Sequence, residues 1–129
     1  MQHVPGLYIG NSSLNNRGVF CAQSLSACEV VEICPLIILP ATEVMQIDQT
    51  ILFEYYFDWP DGKGSIGIAL GYGSLYNHSE DPNAKVIMDL DSNEIIIETI
   101  QSIQSGDEIL IDYLDGQRDR TKLWFEAKA

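Results

Sequence analysis

Asn77, His78 and Ser79 stand side by side, and Tyr113 closes an apolar run that begins at Ile109. An asparagine side chain offers two donors and an acceptor; a neutral histidine offers one of each. Together they can satisfy polar groups where two loops cross and can turn main-chain groups toward a ligand. The plainer alternative is a turn held by Asn and Ser side chains. His78, Glu80 and Asp81 have metal-ligating side chains, but such close spacing does not put them on one face, so no metal site is expected. Glu108 and Asp112, four apart on a strand, would lie about 13 Å apart on one face. That is too far for a pair of hydrolytic carboxylates, and they are expected to hold the local fold or attract a basic peptide. Tyr55, Tyr56, Phe57 and Trp59 form an aromatic group ahead of the Asn-His pair. Such rings pack on an alkyl stem and meet a cation with a π face, or else build a core. Gly18, after Arg17, lets the backbone come close to a ligand. By itself, Tyr113 reads as a strand-end aromatic on the core.

Composition narrows the chemistry. The chain has 129 residues, 46% of them hydrophobic, which suits one domain with a modest core. Nineteen acidic residues against seven basic ones give a formal charge of −12. That balance opposes binding to a phosphate backbone, so no direct nucleic-acid partner is expected. It suits a lysine- and arginine-rich peptide, and it equally serves plain solubility. Three scattered cysteines, Cys21, Cys28 and Cys34, make neither a disulfide framework nor a metal motif, which favours a reducing compartment. No apolar run reaches the roughly 18 residues of a membrane span. The N-terminus lacks the form of a signal peptide. The expected location is the cytoplasm, or a host nucleus for a viral or secreted effector.

Short β segments must position these residues. Strands are expected over residues 7–9, 18–22, 30–39 (one or two strands around Pro35), 65–70 and 109–113. Residues 84–88 and 94–98 read as a hairpin across 89–93. Residues 41–47 suit a short helical turn, and 53–59 an aromatic strand or loop. Residues 117–128, with Leu123, Trp124 and Phe125 among charges, read as the one longer helix. There is no alternation of helices with strands, no Gly-x-Gly-x-x-Gly and no P-loop, so a Rossmann-type sheet is not expected.

Three segments occur in a telling order. They are Asn16-Arg17-Gly18-Val19-Phe20-Cys21-Ala22, then residues 69–84 with Tyr76-Asn77-His78-Ser79-Glu80-Asp81-Pro82-Asn83, then Gly106-Asp107-Glu108-Ile109-Leu110-Ile111-Asp112-Tyr113. In this order they resemble the SET domain of protein-lysine methyltransferases, in its minimal viral and bacterial form without pre-SET or zinc-binding post-SET regions. The resemblance spans about residues 6–115. It implies a β-rich fold of several small curved sheets with a C-terminal pseudoknot and a short C-terminal helix. The whole chain, 1–129, would be one domain with a helical tail over 116–129.

The resemblance also implies roles. Tyr113 would be the catalytic tyrosine in transfer of a methyl group from S-adenosylmethionine to a lysine ε-amine. Arg17, Gly18, Val19, Tyr76, Asn77, His78 and Trp124 would bind the cofactor. Tyr56 and Tyr72 would line the lysine channel. The substrate would be a basic protein or peptide such as a histone tail, with no metal and no membrane involved. The tail helix would cover the adenine, cap the core or join a homodimer. Asn16 stands where the family has a glycine, and asparagine enters left-handed backbone more readily than most residues. That departure keeps a second reading open, a catalytically weak or inactive SET-fold module that binds basic peptides; an unrelated small β scaffold is the third.

Overall fold

The computed structural model describes residues 2–14 and 16–113. Its spine is one ten-residue strand, β3 (Val30–Leu39), built from the longest Val/Ile/Leu-rich run of the chain. A five-stranded antiparallel sheet forms around it in the order β4-β5-β3-β8-β7. The other strands are β4 (Tyr56–Asp58), β5 (Ile66–Ala69), β7 (Ala84–Asp89) and β8 (Glu94–Thr99). Two further pairs flank this sheet: β1 (Leu7–Gly10) with β2 (Gly18–Cys21), antiparallel, and β6 (Asn77–His78) with β9 (Leu110–Ile111), parallel. The expected fold of several small sheets is what the chain adopts.

β3 changes partner along its length. Residues Val30 to Pro35 pair with β8, and Leu36 to Leu39 pair with β5. Pro35 stands at the change, where a residue without an N–H removes no bond that the ladder needs. Its carbonyl accepts from the Leu70 amide at 2.9 Å. The strand is therefore continuous, and Pro35 marks a handover rather than a break. Residues 2–4 run beside its first half, with Ile33 N donating to Gln2 O at 2.7 Å and Val4 N to Val31 O at 2.9 Å.

A register shift lies between Val30 and Glu32. Val30 pairs with Glu98 and Glu32 with Ile97, so β3 carries one extra residue there, a β-bulge. In a regular strand Val31 and Glu32 would face opposite sides. The bulge turns both inward, Val31 at 0% exposure and Glu32 at 3%. Beyond it Cys34 pairs with Ile95, both completely buried. The core thus contains Val19, Cys21, Val31, Cys34, Ile95, Ile97, Ile109 and Ile111, together with a carboxyl group.

The hairpin expected at 84–98 forms. Its turn is shaped by Asp89, whose Oδ1 accepts from the amides of Asp91 and Ser92, and by Asn93 in the left-handed region at φ 54°. The final strand is shorter than expected, two residues instead of the five over 109–113. Glu108 meets β2 in an isolated bridge with Phe20, so Glu108 and Asp112 are not two positions on one strand face. The helical turn at 41–47 is α1 (Ala41–Ile47), with no buried residue. The expected aromatic segment begins as a 3₁₀ turn, Ile51–Glu54, before β4. The helix expected over 117–128 lies outside the described residues.

The parallel pair is the pairing on which the implied pseudoknot depends. Two residues per strand give few ladder bonds, and Asn83 makes up the deficit. Its Nδ2 donates to Glu108 O at 2.9 Å and its Oδ1 accepts from Leu110 N at 2.8 Å. Its main chain donates to Leu110 O at 3.1 Å and accepts from Ile100 N at 3.0 Å. One side chain therefore behaves as an additional strand residue alongside β9. Removing it leaves a carbonyl and an amide of the crossing without partners. Asn83→Ala is expected to lower stability by about 1–3 kcal/mol, read as a lower urea midpoint at unchanged m-value.

Candidate active site

The three motif segments converge on one carboxyl group, that of Glu108. Ser12 donates to Glu108 Oε1 at 2.7 Å, and Asn77 Nδ2 donates to Glu108 Oε2 at 2.7 Å. The same amide nitrogen reaches Arg17 O at 2.9 Å and Ser12 Oγ at 3.2 Å. Asn77 is 6% exposed, so its amide is spent inside the protein, holding the 11–17 loop against the crossing. Ser12 also accepts from Leu14 N at 3.0 Å, which folds the loop back on itself.

This network explains Gly18. A Cβ placed there would stand 2.8 Å from Asn77 Nδ2 and closer still to Glu108 Oε2. The close approach that requires a glycine is thus made by the chain's own carboxyl. Val19 is likewise interior at 0% exposure, and its carbonyl accepts from Ile109 N at 2.8 Å. Arg17 keeps its side chain exposed while its carbonyl joins the network.

On the other side of β6, His78 and Tyr113 form a second unit. Tyr113 N donates to His78 Nδ1 at 3.1 Å, and the two rings lie 5.1 Å apart at 43°. Asp112 Oδ1 stands 3.6 Å from the same nitrogen, beyond hydrogen-bond range, so the amide sets the ring's orientation. The Tyr113 hydroxyl donates to the Tyr76 carbonyl at 2.7 Å. Tyr113 packs half-buried against the core and points its phenol at the main chain just ahead of Asn77.

Tyr113 also lines a small cleft, about 230 Å³ when the open space at its mouth is counted. Its lining is Glu54, Tyr55, Tyr56, Phe57, Gly73, Ser74, Tyr76 and Tyr113. Tyr56 is 2% exposed and donates to Asp48 Oδ1 at 2.7 Å, with its ring edge-on to Phe53 at 6.2 Å. Asp48 is the C-terminal cap of α1, which gives that otherwise exposed helix a structural task. Trp59, at 5% exposure, belongs to the core rather than to the cleft. Tyr72 is not among the lining residues; its ring lies 5.9 Å from that of His3. Trp124 lies outside the described residues.

Behind the cleft sits Glu32. Its Oε1 accepts from the Tyr76 hydroxyl at 2.7 Å and its Oε2 from Tyr72 N at 2.9 Å. Burial first, and the neighbouring Glu32 second, push the Tyr76 phenol far above its ordinary value, so it remains a donor. The Cys34 thiol is pushed up for the same two reasons in the same order. In the sequence Glu32 interrupts an apolar run, and nothing there assigns a task to it or to Asp48, Ser12 or Asn83. The one available signal was a charged residue inside a Val/Ile run, which has to be paired if it is buried. Among the described residues no group of three or more His, Cys, Asp or Glu is placed to hold a metal ion.

Comparison with known proteins places this geometry. The sequence model of the SET domain matches residues 16–114. A histone-lysine N-methyltransferase of Schizosaccharomyces pombe, specific for H3 lysine-37, is 36% identical over 124 residues, covering 95% of this chain and 79% of that protein. The crystal structure of a Plasmodium falciparum protein assigned as a histone methyltransferase superposes with a TM-score of 0.71 at 36% identity, covering 89% of this chain and 96% of that one. The Neurospora SET domain protein DIM-5, a histone lysine methyltransferase, has the same fold at a TM-score of 0.66 and 21% identity, over 88% of this chain and 54% of its own. Likeness at this identity, over nearly the full length, is one of sequence as well as of shape, and the chain belongs to the SET-domain family of protein-lysine methyltransferases.

Proposed function

We propose that this chain, acting as a single domain, transfers the methyl group of S-adenosylmethionine to the ε-amine of a lysine in a basic protein segment such as a histone tail. The observation that carries the reading is the Tyr113 hydroxyl, held by the Tyr76 carbonyl, with both tyrosines lining one aromatic cleft. The cofactor fits what the chain leaves on offer. Gly18, Val19 and the Asn77 side chain are occupied inside the protein, so binding falls to main-chain groups of the 11–17 loop, the exposed Arg17, and the partly exposed His78. Arg17 suits the carboxylate of the cofactor's amino-acid end. When bound, S-adenosylmethionine supplies an electrophilic methyl on a sulfonium.

The chain's own residues do the rest. A free lysine amine has a pKa near 10.4 and is protonated at neutral pH. Rings of Tyr55, Tyr56 and Phe57 along its stem remove water and favour the neutral amine. Tyr113 commits its hydrogen to Tyr76 O, which leaves the phenolic oxygen to accept from an amine N–H and aim the nitrogen lone pair. Orientation and fixed dipoles then supply most of the rate. Glu54 adds a carboxyl to the cleft lining, in keeping with a cationic guest.

The chain's charge of −12 supports a basic partner. Among the described residues no helix is long and apolar enough to cross a membrane. The methylated residue is expected to lie in a lysine- and arginine-rich segment of an intracellular protein.

Two outcomes test the reading. Tyr113→Phe is expected to lower kcat by a factor on the order of 10² or more, with the circular dichroism spectrum unchanged, in a radiolabel transfer assay on a basic peptide. Undiminished transfer would remove Tyr113 from the mechanism. The peptide's KM is expected to rise several-fold between low salt and roughly 0.3 M salt, because steering by the acidic surface is screened. A flat salt response would mean that charge plays no part in recognition.

A further inference from the structure

A carboxyl group in the middle of an apolar sheet must be paired, and Glu32 is paired with unusual economy. Next to the bulge in β3, its pairing with the buried Ile97 turns it inward at 3% exposure. Room for it comes from Gly71, at φ +65°, where any Cβ would collide with Glu32 Oε2. Its two oxygens then take two donors from one short stretch of chain, Tyr72 N at 2.9 Å and the Tyr76 hydroxyl at 2.7 Å. That stretch contains Gly73 and Ser74, which form a wall of the cleft. It ends at the Tyr76 carbonyl, which receives the Tyr113 hydroxyl at 2.7 Å. Tyr76 is 1% exposed, so its ring is clamped by packing on its faces and by Glu32 at its tip.

We propose that Glu32 and the Tyr76 phenol are positioning residues for methyl transfer: by fixing the Tyr76 ring they fix the peptide plane whose carbonyl aims the Tyr113 hydroxyl. Neither touches the reacting atoms. Both act through a series of two hydrogen bonds, Glu32 to the Tyr76 hydroxyl and the Tyr76 carbonyl to the Tyr113 hydroxyl. The second of these sets where the phenolic oxygen meets the amine, and catalysis is sensitive to sub-ångström changes of such placement. The phenol serves well as the link because burial and Glu32 keep it protonated, and its hydroxyl donates to Glu32 Oε1. This inference rests on the role of Tyr113 given above.

The test uses the full chain, S-adenosylmethionine and one basic peptide, with Tyr76→Phe, Glu32→Gln and Tyr113→Phe compared at a temperature where each is folded by circular dichroism. Tyr76→Phe keeps the ring and its packing and removes only the hydroxyl. Glu32→Gln keeps the shape but has one accepting oxygen for two donors. Each is expected to lower kcat about tenfold while KM for the cofactor and for the peptide stays within about twofold, since placement and not binding is lost. In a Tyr113→Phe background, where the aimed hydroxyl is gone, Tyr76→Phe is expected to cause no further loss of the residual rate. Tyr76→Phe with kcat within twofold of wild type, while Tyr113→Phe is inactive, would overturn the positioning role and leave that of Tyr113 standing. An equal further loss in the Tyr113→Phe background would overturn it too, by showing a general loosening. A fully active Tyr113→Phe enzyme would overturn the catalytic reading and this one with it.

Discussion

Everything at the candidate site depends on two strands of two residues each lying parallel. β6 and β9 are held by few ladder bonds, yet they bring Asn77 and His78 beside Leu110 and Ile111. Parallel strands cannot be joined by a tight turn, so the pairing has to be enforced from outside the ladder. Side-chain amides do this. Asn83 acts alongside β9 as an extra strand residue, and Asn77 reaches across to the 11–17 loop and Glu108. Take away that crossing and the loop, the Asn-His pair and the tyrosine belong to three unrelated surfaces.

The polar groups inside the domain divide into two sets on either side of β6. One gathers at Glu108 and fixes the loop where the cofactor is proposed to bind. The other gathers at Glu32 and fixes the turn and the carbonyl behind the aromatic cleft. Each carboxyl collects two donors from residues far from it in sequence, and each requires a nearby glycine, Gly18 or Gly71, to make room. Buried polar networks are costly when half satisfied, and these hold their donors at 2.7–2.9 Å. The geometry of a small domain is thereby made specific where the apolar core alone would leave it loose.

Much of this was legible in the sequence. The motif order indicates the family, the Val/Ile run over Val30–Leu39 indicates one or two strands around Pro35, and Asp89 to Asn93 indicate the hairpin. Tyr113 and Tyr56 were picked out and both line the cleft. What stayed hidden had a physical reason in each case. Glu32 interrupts the apolar run, and its inward direction comes from the register that sets it opposite the buried Ile97, beside the bulge at Val31. Gly18 suggested an approach to a ligand because sequence does not say which neighbour fills the space; here it is Glu108, ninety residues away. Tyr72 caps a 3₁₀ segment, Gly73–Leu75, that stands between it and Tyr76 and that strand and turn patterns do not announce.

The bulge in β3 also sets what kind of change the strand can absorb. Its composition is forgiving: a different aliphatic residue at Ile33 or Ile37 alters little but surface and packing. Its length is not. Deleting Val31 would close the bulge with the pairing on both sides kept, but would remove a fully buried core residue. Deleting Ile33 or Cys34 would turn the Glu32 carboxyl to solvent, and a deletion beyond Pro35 would slip the handover against β5. In a lineage of such domains, this stretch would drift readily by substitution and hardly at all by insertion or deletion.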